Sequence, residues 1–152
     1  MLLKNFLKSQ SIFTGLSDRD YDALAHALEI REYPDGRAII QEGRPGKELY
    51  LLVEGQVKVA QYHAKTGLLE QINLLLPGAL FGLLSLVDHL PTSASCFSAG
   101  PVKIGVLQPS VYNLLAQSSA PIALGFRLAM AKQLASVLRH QEEILSSIPH
   151  QV

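Results

Sequence analysis

DGRAIIQEG at Asp35–Gly43, followed by LYLLVEGQVKV at Leu49–Val59, carries the reading of this chain. Each segment sets a short β-branched or leucine-rich apolar run against a glycine where the chain reverses. The same texture extends on both sides. From Leu28 to Leu76 the runs LEIREY, RAIIQ, ELYLLVEG, QVKVAQY and LLEQINLLL alternate with the turn segments PDG, EGRPG and HAKTG. Strands of that length at that spacing predict an antiparallel barrel or sandwich. Gly36, Gly43, Gly46, Gly55 and Gly67 fall at the expected reversals, where positive φ is common.

Helical periodicity brackets this β region. Leu2, Leu3, Phe6 and Leu7 predict a short amphipathic opening helix. Ser17 with Asp20 three positions on predicts a capped helix from Asp18 to about Ala27. Past the strands, ASCFSA and VKIGVL read as two more strands around Gly100-Pro101, and PSVYNLLAQS as a short helix with Pro109 in its first turn. A long helix is expected from about Ala120 to Ser146, with Ser119 as cap, Pro121 just inside and Pro149 ending it. It bears two apolar stripes: Leu124, Leu128, Ala131, Ala135, Leu138 and Leu145, and Phe126, Met130, Leu134, Val137 and Ile144. One stripe can cover the barrel. The other, at heptad-like spacing, predicts a homodimer through this helix; the alternative is one wide face buried within a monomer.

Composition narrows the class. At 152 residues one domain is expected, covering 1–152, with helices in 1–27, the barrel in 28–108 and helices again in 109–148. The 13 basic and 13 acidic residues balance, so bulk charge predicts neither nucleic acid nor an anionic membrane as partner. A single Cys precludes an internal disulfide framework and fits a reducing, cytoplasmic setting. The histidines (His26, His63, His89, His140, His150) show no metal-ligand spacing, and no nucleophile elbow or carboxylate pair beside a His suggests an enzyme. His89 and Cys96 flank one loop, but one thiol cannot hold a cluster, and each reads better as a loop histidine and a buried cysteine.

In this order of elements the chain resembles a cyclic-nucleotide-binding domain of the catabolite-activator and fumarate–nitrate-regulator (Crp/Fnr) type, on the strength of the Asp35–Gly43 and Leu49–Val59 motifs. The resemblance covers almost the whole length. It implies opening helices, an eight-stranded jelly-roll barrel, a phosphate cassette with a short helix, and a long C-terminal dimerisation helix. PGALFGLLSLVDHLPTSAS at Pro77–Ser95 occupies the cassette's place. In the family a Gly-rich turn opens a helix whose amides face the phosphate, a Glu after the Gly accepts the ribose hydroxyl, and an Arg pairs with the phosphate before a Ser/Thr-Ala step. Here Phe81-Gly82 keeps the turn, Leu83 stands for the Glu and Thr92 for the Arg. No Lys or Arg occurs between Lys65 and Lys103, where Glu70 and Asp88 are the acids.

A buried Arg–phosphate bond contributes roughly 1.5–3 kcal/mol, or about one to two decades of affinity. Its loss disfavours cyclic AMP as ligand, and no cofactor is expected. The resemblance then implies a non-enzymatic regulatory domain with a degenerate cassette. Phe81, Gly82, Leu83, Leu84, Ser85, Thr92, Ser93 and Ala94 are its candidate lining, for an effector less charged than a cyclic nucleotide. The competing expectations are a pocket filled by its own leucines, serving only a protein partner; an altered but genuine cyclic-nucleotide binder; and the effector part of a Crp/Fnr-type transcription regulator whose DNA-binding domain is not in this chain.

Overall fold

The computed structural model describes residues 2–147 and begins with helix α1 (Leu3–Ser9), a single 3₁₀ turn (Ser11–Phe13) and α2 (Asp18–Ala27). The opening stripe behaves as its spacing requires, with Phe6 and Leu7 buried. Ser17 caps α2 by accepting the Asp20 amide at 3.1 Å. Lys4 and Lys8 reach Asp18 at 2.7 and 2.6 Å, tying α1 to the first turn of α2.

Six antiparallel strands follow: β1 (Glu29–Tyr33), β2 (Ala38–Ile40), β3 (Leu49–Tyr62), β4 (Leu69–Leu75), β5 (Leu80–Phe81) and β6 (Ser95–Leu107). The main path runs β1-β6-β3-β4, with β2 added to β6 and β5 to β3. The expected strand pairs ELYLLVEG/QVKVAQY and ASCFSA/VKIGVL are each one continuous strand, so six strands stand where the resemblance implied eight. The reason is local. Gly55 in β3 and Gly100 in β6 take φ of 88° and 78°, so each ladder bends at a glycine without breaking. Register shifts on β3 flank Gly55, and a Cβ there would strike the Pro101 carbonyl oxygen. Gly46, by contrast, has no positive φ and is glycine for a different reason, given below.

Two apolar clusters share this sheet. Leu49, Leu51, Leu80 and Leu107 face the helices with Phe6, Leu7, Phe13 and Leu24, while Tyr50, Leu52, Val57, Phe81 and Ile104 fill the inside of the roll. The alternation within Leu49–Leu52 is therefore apolar on both faces, which explains why that run reads as unbroken hydrophobe.

Helix α4 (Pro109–Gln117) and the long α5 (Pro121–Ser146) close the chain at 102° to one another. Arg127 donates to the Leu115 and Ser118 carbonyl oxygens, both at 2.8 Å, and so fastens the end of α4 to α5. The cap of α5 is not Ser119. Ala120 takes that position, with Pro121 in the first turn as expected and the Ser118 hydroxyl accepting the Ala120 amide. The helix stop expected at Pro149 lies outside the described residues. The stripe through Phe126 and Met130 packs on the core with Leu134 at its margin, but its last two members, Val137 and Ile144, are exposed, as are Leu124, Leu128, Ala131, Ala135, Leu138 and Leu145. Among the described residues no single helix is long and apolar enough to cross a membrane.

Candidate functional site

The cassette begins where Gly78 turns the chain onto β5. The Gly78 amide donates to the Leu52 carbonyl at 2.8 Å and the Leu52 amide to Ala79 at 2.9 Å. Phe81 then stacks on Tyr50, with ring centroids 5.2 Å apart, which fixes the floor of the site. Gly82 follows at φ 78°, where a larger residue would be strained and crowded: a Cβ would lie 3.0 Å from Tyr50 Cδ2 and 3.1 Å from the Glu48 carbonyl oxygen. From this residue springs α3 (Leu83–Asp88), which ends at His89 in a left-handed conformation, φ 59°.

One helical turn sends successive side chains in different directions. Leu83 enters the main apolar cluster and is 4% exposed. Leu84 points outward, and Ser85 is buried beneath Gly46, where a Cβ on the glycine would come within 2.6 Å of the Ser85 Cβ. That close approach is why position 46 is a glycine. The eight residues singled out in the sequence are thus not assembled around one space. Gly82 and Thr92 border a shared cavity, Phe81 lies behind it, Ser93 is exposed with its carbonyl accepting from Gln61, and Ala94 is half-buried.

Thr92 has a different task from the one its place in the motif suggested. Its hydroxyl donates to the Gln41 carbonyl at 2.6 Å and accepts the Arg44 amide at 3.2 Å. Its own amide donates to the Arg44 carbonyl, and its carbonyl accepts the Gly43 amide. Ser95 adds a further stitch by accepting the Glu42 amide at 2.9 Å. The β2–β3 loop is in this way sewn to the cassette along Thr92.

Between loop, cassette and β3 lies a cavity of about 260 Å³, with walls from Ile39, Ile40 and Tyr50 and a rim including Arg44, Lys47, Glu48, Gly82 and Thr92. Glu48 is pinned by the Arg31 guanidinium, at 2.9 Å and 3.3 Å, and receives the Tyr50 hydroxyl at 3.2 Å. Glu48, with Glu29, holds the Arg31 guanidinium well above its ordinary value, so it stays charged at any working pH. Burial, then the nearby Glu48 carboxylate, pushes the Tyr50 phenol up, so it remains a neutral donor. Arg44, Lys47, Glu48 and Tyr50 were not singled out from the sequence. Arg44 meets the cassette through the long-range seam at Thr92, whereas Tyr50, inside the Leu49–Val59 motif, meets it by pairing and stacking with Phe81; neither contact is visible from neighbouring residues.

The remaining candidates are simpler. Cys96 is buried, and desolvation pushes its thiol up to about 12. His89 is exposed on its turn.

With the geometry described, comparison with known proteins is direct. Residues 30–118 match the family model of the cyclic nucleotide-binding domain. The chain belongs to that family. It is 33% identical over 121 residues to a cAMP-dependent protein kinase regulatory subunit of Pyricularia oryzae, matching 80% of this chain and 30% of the relative. It is 30% identical over 128 residues to the cyclic AMP receptor protein of Thermus thermophilus, matching 84% of this chain and 59% of the relative. The chain therefore spans less than two thirds of these relatives, about a third of the first and somewhat over half of the second. Among solved structures, a cyclic nucleotide-binding domain from Methylobacillus flagellatus superposes with a TM-score of 0.85 at 22% identity, over 99% of this chain and 84% of that one, and shares the fold.

Proposed function

We propose that this chain is a non-enzymatic regulatory domain of the cyclic nucleotide-binding type that does not hold cyclic AMP in the family's usual way and that signals through α5 as a homodimer. The observation that carries the reading is the fate of the two positions on which the family's grip depends. Leu83 is spent on the core, and the Thr92 hydroxyl is spent on Gln41 and Arg44 of the chain itself. Neither is free for a ribose hydroxyl or a cyclic phosphate.

The signalling part rests on α5. Leu124, Leu128, Leu138 and Leu145 are 54%, 52%, 64% and 65% exposed along one side of the helix, an apolar stripe suited to a second copy. The opposite face touches the cassette strand: the Leu80 amide donates to Gln133 Oε1 at 3.0 Å. A change at β5 is felt by the helix that carries the dimer stripe, which is the arrangement a two-state switch needs.

Titration calorimetry with cyclic AMP and cyclic GMP, paired with sedimentation of a Leu128→Glu, Leu138→Glu variant, tests both halves. No heat with either nucleotide at micromolar concentration and a halved mass for the variant are the expected results. Micromolar binding of either nucleotide overturns the cassette argument, and an unchanged mass overturns the dimer.

A further inference from the structure

Outside the cassette, the cavity beside it carries an unbalanced charge. Of the three ionisable side chains on its rim and walls other than Tyr50, Glu48 is paired with Arg31, a guanidinium it shares with Glu29, while Arg44 and Lys47 have no ion pair or side-chain hydrogen bond among the described residues. The other acid of the same loop, Glu42, turns its carboxylate to the Tyr62 amide at 3.2 Å. Two cations thus stand at the mouth of a space whose walls are Ile39, Ile40 and the ring of Tyr50. They sit on a loop that Thr92 fixes through four hydrogen bonds, counting its hydroxyl, amide and carbonyl together. A loop held in this way loses less freedom when a ligand arrives.

We propose that Arg44 and Lys47 form an anion clamp on this cavity, supplied from the β2–β3 loop rather than from the cassette, for a small organic anion with a flat apolar body. The inference goes beyond the regulatory reading above: it assigns this cavity as the effector pocket and names the ligand class. Size supports the choice. A volume of about 260 Å³ corresponds to roughly nine waters at about 30 Å³ each. That suits a ring bearing one charged group. Charge supports it as well: an anion between two unpaired cations gains from both, while Glu48, already held by two donors, repels little. The expectation from the motif alone, an effector less charged than a cyclic nucleotide, changes accordingly. The positive charge absent from residues 66–102 returns from a loop that is distant in sequence.

The test uses the full chain, ¹⁵N-labelled, titrated with phenyl phosphate, benzoate and phenol while amide shifts are followed. Phenyl phosphate has about eleven non-hydrogen atoms, within the room estimated above. Phenyl phosphate is expected to move the amides of Gly46, Lys47, Gly82 and Thr92, with phenol leaving them in place. An Arg44→Gln, Lys47→Gln variant, changed only at exposed positions, is expected to weaken phenyl phosphate about tenfold or more, and added salt to weaken it further in the parent chain. Benzoate binding as tightly as phenyl phosphate makes the clamp a general anion site; a tenfold preference for phenyl phosphate makes it one for phosphate esters. Phenol moving the same amides equally well, unchanged affinity in the double variant, or no response to either anion up to about 10 mM overturns the clamp. These outcomes are separate from those of the α5 variant: a dimer that dissociates as expected beside an unresponsive cavity removes the clamp alone.

Discussion

Thr92→Val removes one hydroxyl from the seam between loop and cassette and leaves the side chain's shape unchanged. That hydroxyl makes two contacts, donating to Gln41 at 2.6 Å and accepting the Arg44 amide at 3.2 Å. A net contribution of about 0.5–1.5 kcal/mol per bond gives at most about 3 kcal/mol. Thr92 is half-buried and its loop partners can turn to water, so the lower half of that range applies, about 1–2 kcal/mol. For a domain of this size that lowers Tm by about 2–8 °C. Urea unfolding should show a reduced midpoint with an unchanged slope, since the buried surface is the same. Hydrogen exchange gives the site-specific reading: the Arg44 amide loses protection, while β6 amides remote from the loop fall only by the global amount. Thr92→Ser keeps both contacts and should stay close to the parent. A valine variant with parental Tm and parental protection at Arg44 would refute the claim that Thr92 is a structural stitch, and with it the main argument against its serving as a ligand contact.

Four further outcomes follow from named contacts. Gly82→Ala combines a strained left-handed backbone with a Cβ 3.0 Å from the Tyr50 ring, and should destabilise by about 2–4 kcal/mol in urea unfolding. Leu83→Glu with Thr92→Arg, which restores the family's charged pair in letters, should fail to create cyclic AMP binding, because a carboxylate at a position 4% exposed costs about 3–5 kcal/mol; micromolar binding by a folded double variant would show the argument wrong. Asp18 is held by Lys4 and Lys8 at about 2, below the usual carboxylate value of 3.8. Its stabilisation is present above pH 4 and disappears as pH falls toward 2, so the stability gap between the parent and Asp18→Asn should be constant near neutrality and close over that interval. Cys96, with its thiol at about 12, should resist iodoacetamide at pH 8 in the folded protein and react once urea unfolds it.

How far the sequence reached depended on the range of the interaction concerned. Local devices were readable: Ser17 capping α2, Pro121 opening α5, Gly36 and Gly43 where the backbone turns left-handed. Each needs only its neighbours. The stripe analysis of α5 separated a packed face through Phe126 and Met130 from an exposed one through Leu128 and Leu138 only in the first half of the helix, since Val137 and Ile144 of the first stripe are exposed where α5 runs past the core. Strand continuity was not readable, because a glycine that ends a strand and a glycine that bends one look alike until the partner strand is known. Gly55 and Gly100 bend theirs because each lies against the other long strand.

The site was harder still, for a reason of the same kind. A motif records which residue type follows which, whereas an anion responds to the potential summed over everything within reach. Thr92 lies 48 residues from Arg44, so a reading confined to the cassette finds the positive charge missing and concludes that the pocket has lost its sign. In three dimensions Thr92 fastens a cation-bearing loop over the same cavity. Under the clamp proposed above, the cassette position that the resemblance assigns to a cation and the loop that supplies one meet at a single side chain. Substitutions at Thr92 should accordingly alter the position of Arg44 as well as the cassette, so a double-variant cycle pairing Thr92→Val with Arg44→Gln, read by phenyl phosphate affinity, should be non-additive; additive effects would refute the link.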